Sequence, residues 1–353
     1  MNSVRTFASM TLLIGAAVGQ AQMDLPTISI NPIKNSAPVG LGDIRYGQWY
    51  SGFDLQQFET KPIRITGMAL GAAATAGGQV GRTITAEITM AHSLPTAPTG
   101  SFDGNLVRDR TIVFPRGQIG MNNANPGTFP LTVQFTTEFQ WDGSSSIAVD
   151  MKIFDNGNNN QPYAFDFNLN VVTANRMARY YTVNNPQAPF ANFGPRFEGI
   201  TTRFFYNEAI TWKYGDGCPG EGLFVPIAES TGGYPIPGNN RFAFQLSNAP
   251  SQRNALFFIG GSDTTWGQLT LPYSLGLLGA PSCSVLAEPV ASATRPSVGG
   301  GPGSGIATFP FGMPPTTDYI GTTFYTQWLV LDPNAPAGGI AMSNGLAVYP
   351  AIQ

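Results

Sequence analysis

The chain contains one histidine, His92, and two cysteines, Cys218 and Cys283, which limits the catalytic and metal-binding chemistry that it can support. One imidazole excludes metal sites built from several histidines, and two cysteines exclude a cysteine-built zinc site or an iron–sulfur cluster. A Ser-His-Asp hydrolase would need His92 as its base. However, no Gly-x-Ser-x-Gly elbow precedes a helical pattern, and His92 ends a strand-like segment before a Pro-rich loop. We therefore expect His92 to be structural or solvated.

Carboxylates are the second group with catalytic chemistry, because two of them about 5–9.5 Å apart in a cleft can hydrolyse a glycoside. One set precedes Gly, Asn or Pro and should occupy turns, where an Asp side chain bonds its own backbone. This set is Asp103, Asp142, Asp155, Asp216 and Asp332. A second set lies on predicted solvent faces of strands: Glu87, Glu138, Asp150 and Asp166. We therefore expect the first set to stabilise turns and the second set to be solvated. The alternative is that two of these carboxylates meet on a concave sheet and form a catalytic pair.

An oxygen-rich loop at residues 155–161 is the one candidate metal site. Asp155, Asn158 and Asn160 offer the hard oxygen ligands that Ca²⁺ requires, six to eight in total. The spacing does not match an EF-hand, and one carboxylate predicts low affinity. A plain Asx-rich hairpin loop is the favoured reading, and no other cofactor is expected.

Aromatic residues in a Gly-punctuated stretch, residues 46–53, are candidates for ligand binding. Trp49, Tyr50 and Phe53 stand beside Gln and Ser there. Apolar ring faces next to short polar groups are what a sugar-binding surface needs. Tyr180-Tyr181 and the Phe190/Phe193 pair lie among Asn and Pro in the same way. The alternative is that these rings are buried in a core.

Composition indicates what kind of scaffold must hold these residues. Of 353 residues only 11% are charged, 18 Lys and Arg against 21 Asp and Glu, whereas a soluble domain carries roughly 25%. Too few cations are present for a nucleic-acid binder. The normal hydrophobic content of 42% argues against disorder, and the low charge excludes a Lys/Glu-rich helical bundle. With 42 Gly and 29 Pro, the composition predicts a β-rich, turn-rich protein.

Alternation of apolar and polar residues is the dominant pattern, and it predicts half-buried antiparallel strands at residues 82–90, 131–139, 147–153 and 165–171. Turn clusters separate these segments, and no 3.6-residue pattern persists. After residue 213 the chain becomes richer in Gly and Pro, and residues 322–331 resemble a central strand. We predict an all-β fold of two antiparallel β-sandwich domains, jelly-roll or immunoglobulin-like, at residues 22–213 and 214–353.

The N-terminus has the features of a secretory signal peptide. Arg5 charges its first residues, residues 6–18 are apolar and small, and Gly19 and Ala21 suit cleavage after Ala21. No later run of about 18 apolar residues predicts a spanning helix. We therefore expect residues 1–21 to be removed and the protein to be extracellular or at the cell surface. Export makes a Cys218–Cys283 disulfide plausible, with two free buried thiols as the alternative.

Four short segments of the second half form a recognisable pattern: 214–219 (YGDGCP), 277–283 (LLGAPSC), 324–333 (FYTQWLVLDP) and 343–348 (SNGLAV). On these segments, the second half resembles a module at the end of many exported proteins of planctomycete-type and related bacteria. The resemblance implies a secreted or surface β protein of unknown function whose two cysteines pair. It provides no catalytic residue and no ligand to carry over.

Three functions follow as hypotheses. The first is an exported, non-catalytic surface or extracellular-matrix protein that acts through adhesion or assembly, since a weakly charged surface permits association. The second is a carbohydrate-binding β-sandwich, and the third and weakest is a secreted hydrolase. The expected partners are a surface glycan, another protein or a second copy of the chain, with no nucleic acid.

Overall fold

The computed structural model describes residues 21–26, 33–35, 37–72, 79–157, 163, 165–168, 176–208, 210–336 and 338–352. The described chain is nearly all β, and every pairing between its strands is antiparallel, as the alternating pattern predicts. The predicted signal peptide lies outside the described residues except for Ala21. Within the same residues, no helix has the length and apolar character needed to cross a membrane.

The described residues of the first half form thirteen strands and two single-turn helices. The strands are β1 (Ala21–Leu25), β2 (Ile33–Asn35), β3 (Ile44–Tyr50), β4 (Ile63–Leu70), β5 (Thr83–Ser93), β6 (Arg108–Gly120), β7 (Leu131–Trp141), β8 (Ser146–Asp155), β9 (Phe165–Asn168), β10 (Met177–Val183), β11 (Phe193–Arg196), β12 (Gly199–Ile200) and β13 (Thr202–Asn207). The helices are α1 (Gly52–Leu55) and α2 (Phe102–Asn105). The sheet orders are β1-β13-β4-β7, β11-β10-β3-β8-β5-β6 and β12-β9-β2.

Thirteen further strands are formed by the part of the second half that the structure describes. They are β14 (Ile210–Tyr214), β15 (Ile227–Thr231), β16 (Ala243–Ala249), β17 (Asn254–Gly260), β18 (Thr265–Trp266), β19 (Leu269–Thr270), β20 (Tyr273–Leu275), β21 (Ala280–Val285), β22 (Ala291–Pro296), β23 (Gly305–Pro310), β24 (Phe324–Leu331), β25 (Ile340–Met342) and β26 (Gly345–Tyr349). Two 3₁₀ turns occupy Glu221–Leu223 and Gly276–Leu278. The main sheet has the order β14-β26-β24-β17-β22, with β25 also on β24. The others are β15-β16-β23, β18-β19 and β20-β21.

Strand β7 illustrates how the sequence pattern produces the packing. Its apolar residues, such as Leu131 and Val133, are buried, whereas the alternate positions Thr132 and Gln134 are exposed. Successive side chains of a strand point to opposite faces, so one face of β7 joins a core and the other meets solvent. That core draws on residues between Met23 and Tyr206. A separate apolar cluster draws on residues between 228 and 348.

Asp150 corrects the prediction that it lies on a solvent face. Only 1% of its surface is exposed, and its carboxylate pairs with Arg45, which is 4% exposed. The reason is that chain from elsewhere covers the outer face of the sheet that contains β8. Helix α2 and residues 188–197 lie over this face, where Phe102 packs on Tyr180 and Ala188 accepts a hydrogen bond from Arg45. Both faces of β8 are therefore buried.

The Cys218–Cys283 disulfide is present, which confirms the predicted pairing. It joins the start of the second half to β21, and Cys218 also exchanges backbone hydrogen bonds with Met342 in β25. The expectation that β24 is central is correct, since β26 and β17 flank it.

The Asn-Gly pair at residues 344–345, flanked by apolar residues, is a sequence pattern that favours a β-hairpin turn, but no hairpin is formed there. Strands β25 and β26 both pair with β24 instead of with each other. The Ser343 hydroxyl accepts from the Trp328 N–H across this break, and the Asn344 side chain bonds Ala228. These long-range bonds satisfy the polar groups that a turn would otherwise have satisfied.

Candidate functional site

A cavity lies where the two halves of the chain meet, and we call it the first cavity. It has a volume of about 460 Å³ and is lined from the first half by the ends of β5, β6 and β7 and from the second half by β14 and β15. The residues that matter for its chemistry are His92, Arg108, Asp109, Asp142, Trp212, Lys213 and Glu229.

His92 forms part of the floor of this cavity and is only 3% exposed. Its Nδ1 lies 2.8 Å from Asp109 Oδ2, and its Nε2 lies 3.2 Å from the backbone nitrogen of Asp142, which donates to it. The hydrogen bonds therefore assign the neutral tautomer with the proton on Nδ1. Burial is the largest influence on the pKa of His92 and lowers it, although the nearby Asp142 carboxylate acts in the opposite direction. The ring is held neutral, with both nitrogens bonded.

Arg108 bridges the carboxylates of Asp109 and Asp142 on the first-half wall of the cavity. Its Nη1 lies 3.0 Å from Asp109 Oδ2 and its Nη2 lies 2.6 Å from Asp142 Oδ2. Burial alone would raise the pKa of Asp142, but hydrogen bonds from Ser145, Ser144 and Arg108 outweigh it and hold that pKa well below its usual range. Asp142 is thus a stable carboxylate. It accepts from the N–H groups of Ser144 and Ser145, which is the turn role that the sequence predicts.

The opposite wall comes from the second half and is more open. Trp212 is half-buried, and Lys213 Nζ lies 3.9 Å from Glu229 Oε2. Both charged side chains of this pair are largely exposed, at 52% and 37%. Thr211 and Ser230 share a hydrogen bond of 2.9 Å between their hydroxyls, so β14 and β15 present one continuous polar edge.

A second cavity of about 460 Å³ continues along the same junction. Its wall from the first half includes Arg64 and Glu138, 2.7 Å apart, and its wall from the second half includes Tyr234. The Tyr234 hydroxyl donates to Glu138 at 2.5 Å, and the Arg64 guanidinium lies 3.2 Å from the centre of the Tyr234 ring. The two cavities share Gln140 as a lining residue, and we call them together the junction groove.

The groove contains a histidine, a serine and carboxylates, the residue types of a hydrolase, but their hydrogen bonds differ from those of a catalytic triad. The nearest serine in the hydrogen-bond network, Ser145, donates its hydroxyl to Asp142 at 2.6 Å. His92 Nε2, which would have to take the proton from a nucleophile, already accepts the Asp142 N–H. A glycosidase acid needs a raised pKa, whereas that of Asp142 is lowered.

The three aromatic residues predicted to face a ligand do not form a surface together, which corrects their expected exposure. Trp49 and Tyr50 are each 1% exposed, and Trp49 donates its indole N–H to the carbonyl of Leu94. Phe53 is 59% exposed, with the Arg176 guanidinium 5.4 Å from its ring centre. The same covering segments that bury Asp150 bury Trp49, because they lie over the face of the sheet to which it points.

The predicted calcium loop is described only at its start. Asp155 is exposed, and its Oδ1 accepts from the Gly157 N–H at 2.8 Å. Asn158 and Asn160 lie outside the described residues. Among the residues that are described, no group of three His, Cys, Asp or Glu side chains is arranged to hold a metal ion. Calcium binding therefore stays a prediction.

The other candidate carboxylates take structural positions. Asp103 pairs with Arg45 and Arg110, and Glu87 pairs with Lys152. Asp332 is fully buried and accepts the Asn334 N–H, as expected for a turn, together with the Glu221 N–H and Arg253. The side chain of Asp166 lies outside the described part.

Sequence reasoning missed the second-half wall of the groove. Trp212, Lys213 and Glu229 stand in strand segments with no motif around them, and their only signal is position beside the change in composition near residue 213. No protein-family model matches the chain, and no curated protein does either.

Proposed function

We propose that this chain is an exported, non-catalytic surface protein that acts through adhesion, and that the junction groove binds a neutral carbohydrate. In this proposal residues 1–21 are a cleaved signal peptide, and two β-sandwich domains meet at the groove. Their boundary lies before Ile210 and not at residue 213, because β14 (Ile210–Tyr214) pairs with β26 of the second half. The family resemblance of the second half to exported bacterial proteins is consistent with this assignment. The observation that carries the proposal is the internal pairing of the charges that line the groove.

Each charged side chain of the groove has a partner of opposite sign in the same groove. Arg108 lies between two carboxylates, Lys213 is near Glu229, and Arg64 contacts Glu138. A charged ligand would have to compete with these pairs. A neutral hydroxyl would not, because a carboxylate has about four lone-pair positions and can accept further bonds while it stays paired.

A sugar site also needs an aromatic residue next to its polar groups, and we assign this role to Trp212. Small-ligand sites combine hydrophobic or aromatic walls with a few polar groups that fix orientation. The half-buried Trp212 lines the first cavity together with Asp142 and Glu229. These features support carbohydrate binding at the junction groove in place of the buried Trp49 and Tyr50.

The non-catalytic assignment rests on the hydrogen bonds of His92. Both ring nitrogens are engaged, and burial lowers the pKa of the imidazole. A secreted hydrolase is the weaker alternative. An activity panel on glycosides and esters with the His92→Ala variant as control tests it, since activity lost in that variant would support the hydrolase.

Assembly with a second copy of the chain is the other candidate function, and strand β22 favours it. β22 is the last strand in its sheet, and four of its six residues are exposed. Edge strands with free backbone groups can pair with another chain. Light scattering and electron microscopy of the mature chain test this candidate, since a strictly monomeric particle would contradict it.

A glycan array followed by calorimetry tests the main proposal. Wild-type protein should retain neutral glycans, and Trp212→Ala should lose them. Trp266→Ala is the matched control, because Trp266 is 37% exposed and lies outside the groove. Binding of no glycan, or equal loss in both variants, would overturn the assignment of the groove.

The location of the protein is tested by fractionation of the source cells. The proposal expects the protein in the medium or the envelope, with Gln22 as the first residue by mass spectrometry. A cytoplasmic protein that keeps residues 1–21 would contradict export.

A further inference from the structure

The junction groove consists of two cavities that are similar in size and in chemistry. Each has an arginine–carboxylate pair on the first-half wall, Arg108–Asp142 in one cavity and Arg64–Glu138 in the other. An aromatic residue from the second half also lines each cavity, Trp212 in one and Tyr234 in the other. One cavity therefore repeats the apolar and polar groups of the other.

Strand β7 sets the spacing of this repeat. Glu138 and Gln140 lie on the same face of the strand, and Asp142 follows directly after its end. Alternate residues of a strand are about 6.5 Å apart, so the polar positions from Glu138 to Asp142 extend over about 13 Å. This length runs along the junction, and it is long for a single sugar ring.

Gln140 marks the boundary between the cavities. Its amide Nε2 donates to the carbonyl of Thr211 at 3.1 Å, and this bond crosses from one half of the chain to the other. The side chain is exposed. An exposed amide with one such bond can be moved by a ligand or can bond to it, because it carries both donors and an acceptor.

We propose that the two cavities are consecutive subsites for a linear, neutral oligosaccharide, with Trp212 and Tyr234 each supporting one part of the chain and Gln140 bonding between them. A repeating ligand matches a repeated site, and paired charges on both sides of Gln140 suit hydroxyl groups in both positions. This inference rests on the proposed carbohydrate-binding function and adds the length of the ligand to it.

The test is the dependence of affinity on chain length, measured by calorimetry. The probes are cello- and malto-oligosaccharides of one to six rings, together with the same series for any other neutral glycan that the array retains. Affinity should rise as the chain becomes long enough to occupy both cavities, and then level off. Tyr234→Ala should reduce the affinity for long chains roughly tenfold, so that affinity no longer rises with chain length.

Tyr234→Phe and Trp266→Ala are the controls. The first keeps the ring and loses only the hydroxyl bond to Glu138, so it should retain most of the length dependence. The second alters an exposed tryptophan elsewhere. Unchanged circular dichroism and melting temperature show whether each variant is folded.

The outcomes separate this inference from the function on which it rests. Affinity that is already maximal for one ring, or a length dependence that Tyr234→Ala leaves intact in a folded protein, would overturn the two-subsite inference and leave sugar binding in the first cavity. Failure of every probe and every array glycan to bind would overturn both.

Discussion

Replacing Asp150 by alanine should destabilise the protein strongly, because it would leave a buried guanidinium without its main counter-charge. Asp150 and Arg45 are 1% and 4% exposed. The carboxylate accepts bonds from Arg45 Nε at 3.1 and 3.2 Å and from Nη2 at 2.7 Å. Alanine would remove all three interactions and would keep the charge of Arg45 out of water.

The size of the stability loss depends on the interactions that Arg45 keeps in the Asp150→Ala variant. Removing one partner of a buried ion pair costs about 3–5 kcal/mol. Arg45 would still donate to Ala188 and Asp103, at 2.7 and 3.1 Å, and would still lie 4.4 Å from the centre of the Phe102 ring. We therefore expect the lower end, about 3 kcal/mol. An exposed Asp150, as strand alternation predicts, would give less than about 0.5 kcal/mol.

The assay is urea unfolding monitored by tryptophan fluorescence, with the free energy of unfolding compared between variants. Asp103→Ala is the matched control, because Asp103 pairs with the same Arg45 but is 58% exposed. It should cost less than about 1 kcal/mol. The double variant Arg45→Met/Asp150→Leu should recover most of the stability, since it removes both charges. An Asp150→Ala loss no larger than that of Asp103→Ala would refute the reasoning.

Three further predictions concern stability. Replacing both Cys218 and Cys283 by serine should cost about 4 kcal/mol in urea unfolding, since the bridge joins residues 65 apart; a loss below about 1 kcal/mol would contradict this. Burial lowers the pKa of His92 in the folded protein, so the unfolded chain binds a proton first as the pH falls. The contribution of the neutral His92 to the free energy of unfolding should therefore be complete above pH ~6.5 and decrease below it, by at most about 1.4 kcal/mol per pH unit. Thermal melts between pH 5 and 7.5 should therefore change less in His92→Gln than in the wild type. Gly47→Ala should cost about 1–3 kcal/mol, because its Cβ would lie 2.1 Å from the Tyr180 ring; an unchanged melting temperature would show that the ring can move.

Strand β7 shows how much of the fold follows from local pattern. Its alternation correctly predicts most of its buried residues, because one of its faces packs on the core and the other meets solvent. Thr137, which the pattern places among the apolar residues, is exposed. The same pattern places Glu138 and Gln140 on the polar face that later lines the groove. Turn chemistry is equally local, and it correctly predicts the backbone bonds that Asp142 and Asp332 accept.

Strand β8 and the aromatic stretch near Trp49 show where local pattern fails. Alternation predicts a solvent face for Asp150, and polar neighbours suggest exposure of Trp49, yet both residues are buried. The cause is helix α2 together with residues 188–197, which return to cover the outer face of the sheet. A residue's own segment carries no information about which distant segment will lie over it.

By itself, the sequence determined the all-β class and the antiparallel strands, because both depend on alternation and turn residues. It made a Cys218–Cys283 disulfide plausible, and the structure shows that the bond is formed. The tertiary structure alone decided the junction groove. His92 and Asp142 meet because the end of β5 lies against the end of β7, which belongs to a different sheet, and Trp212 lines the same cavity from β14, about 70 or more residues later. Which sheets face each other, and how the two halves dock, depends on the shapes of whole surfaces rather than on the spacing of residues along the chain.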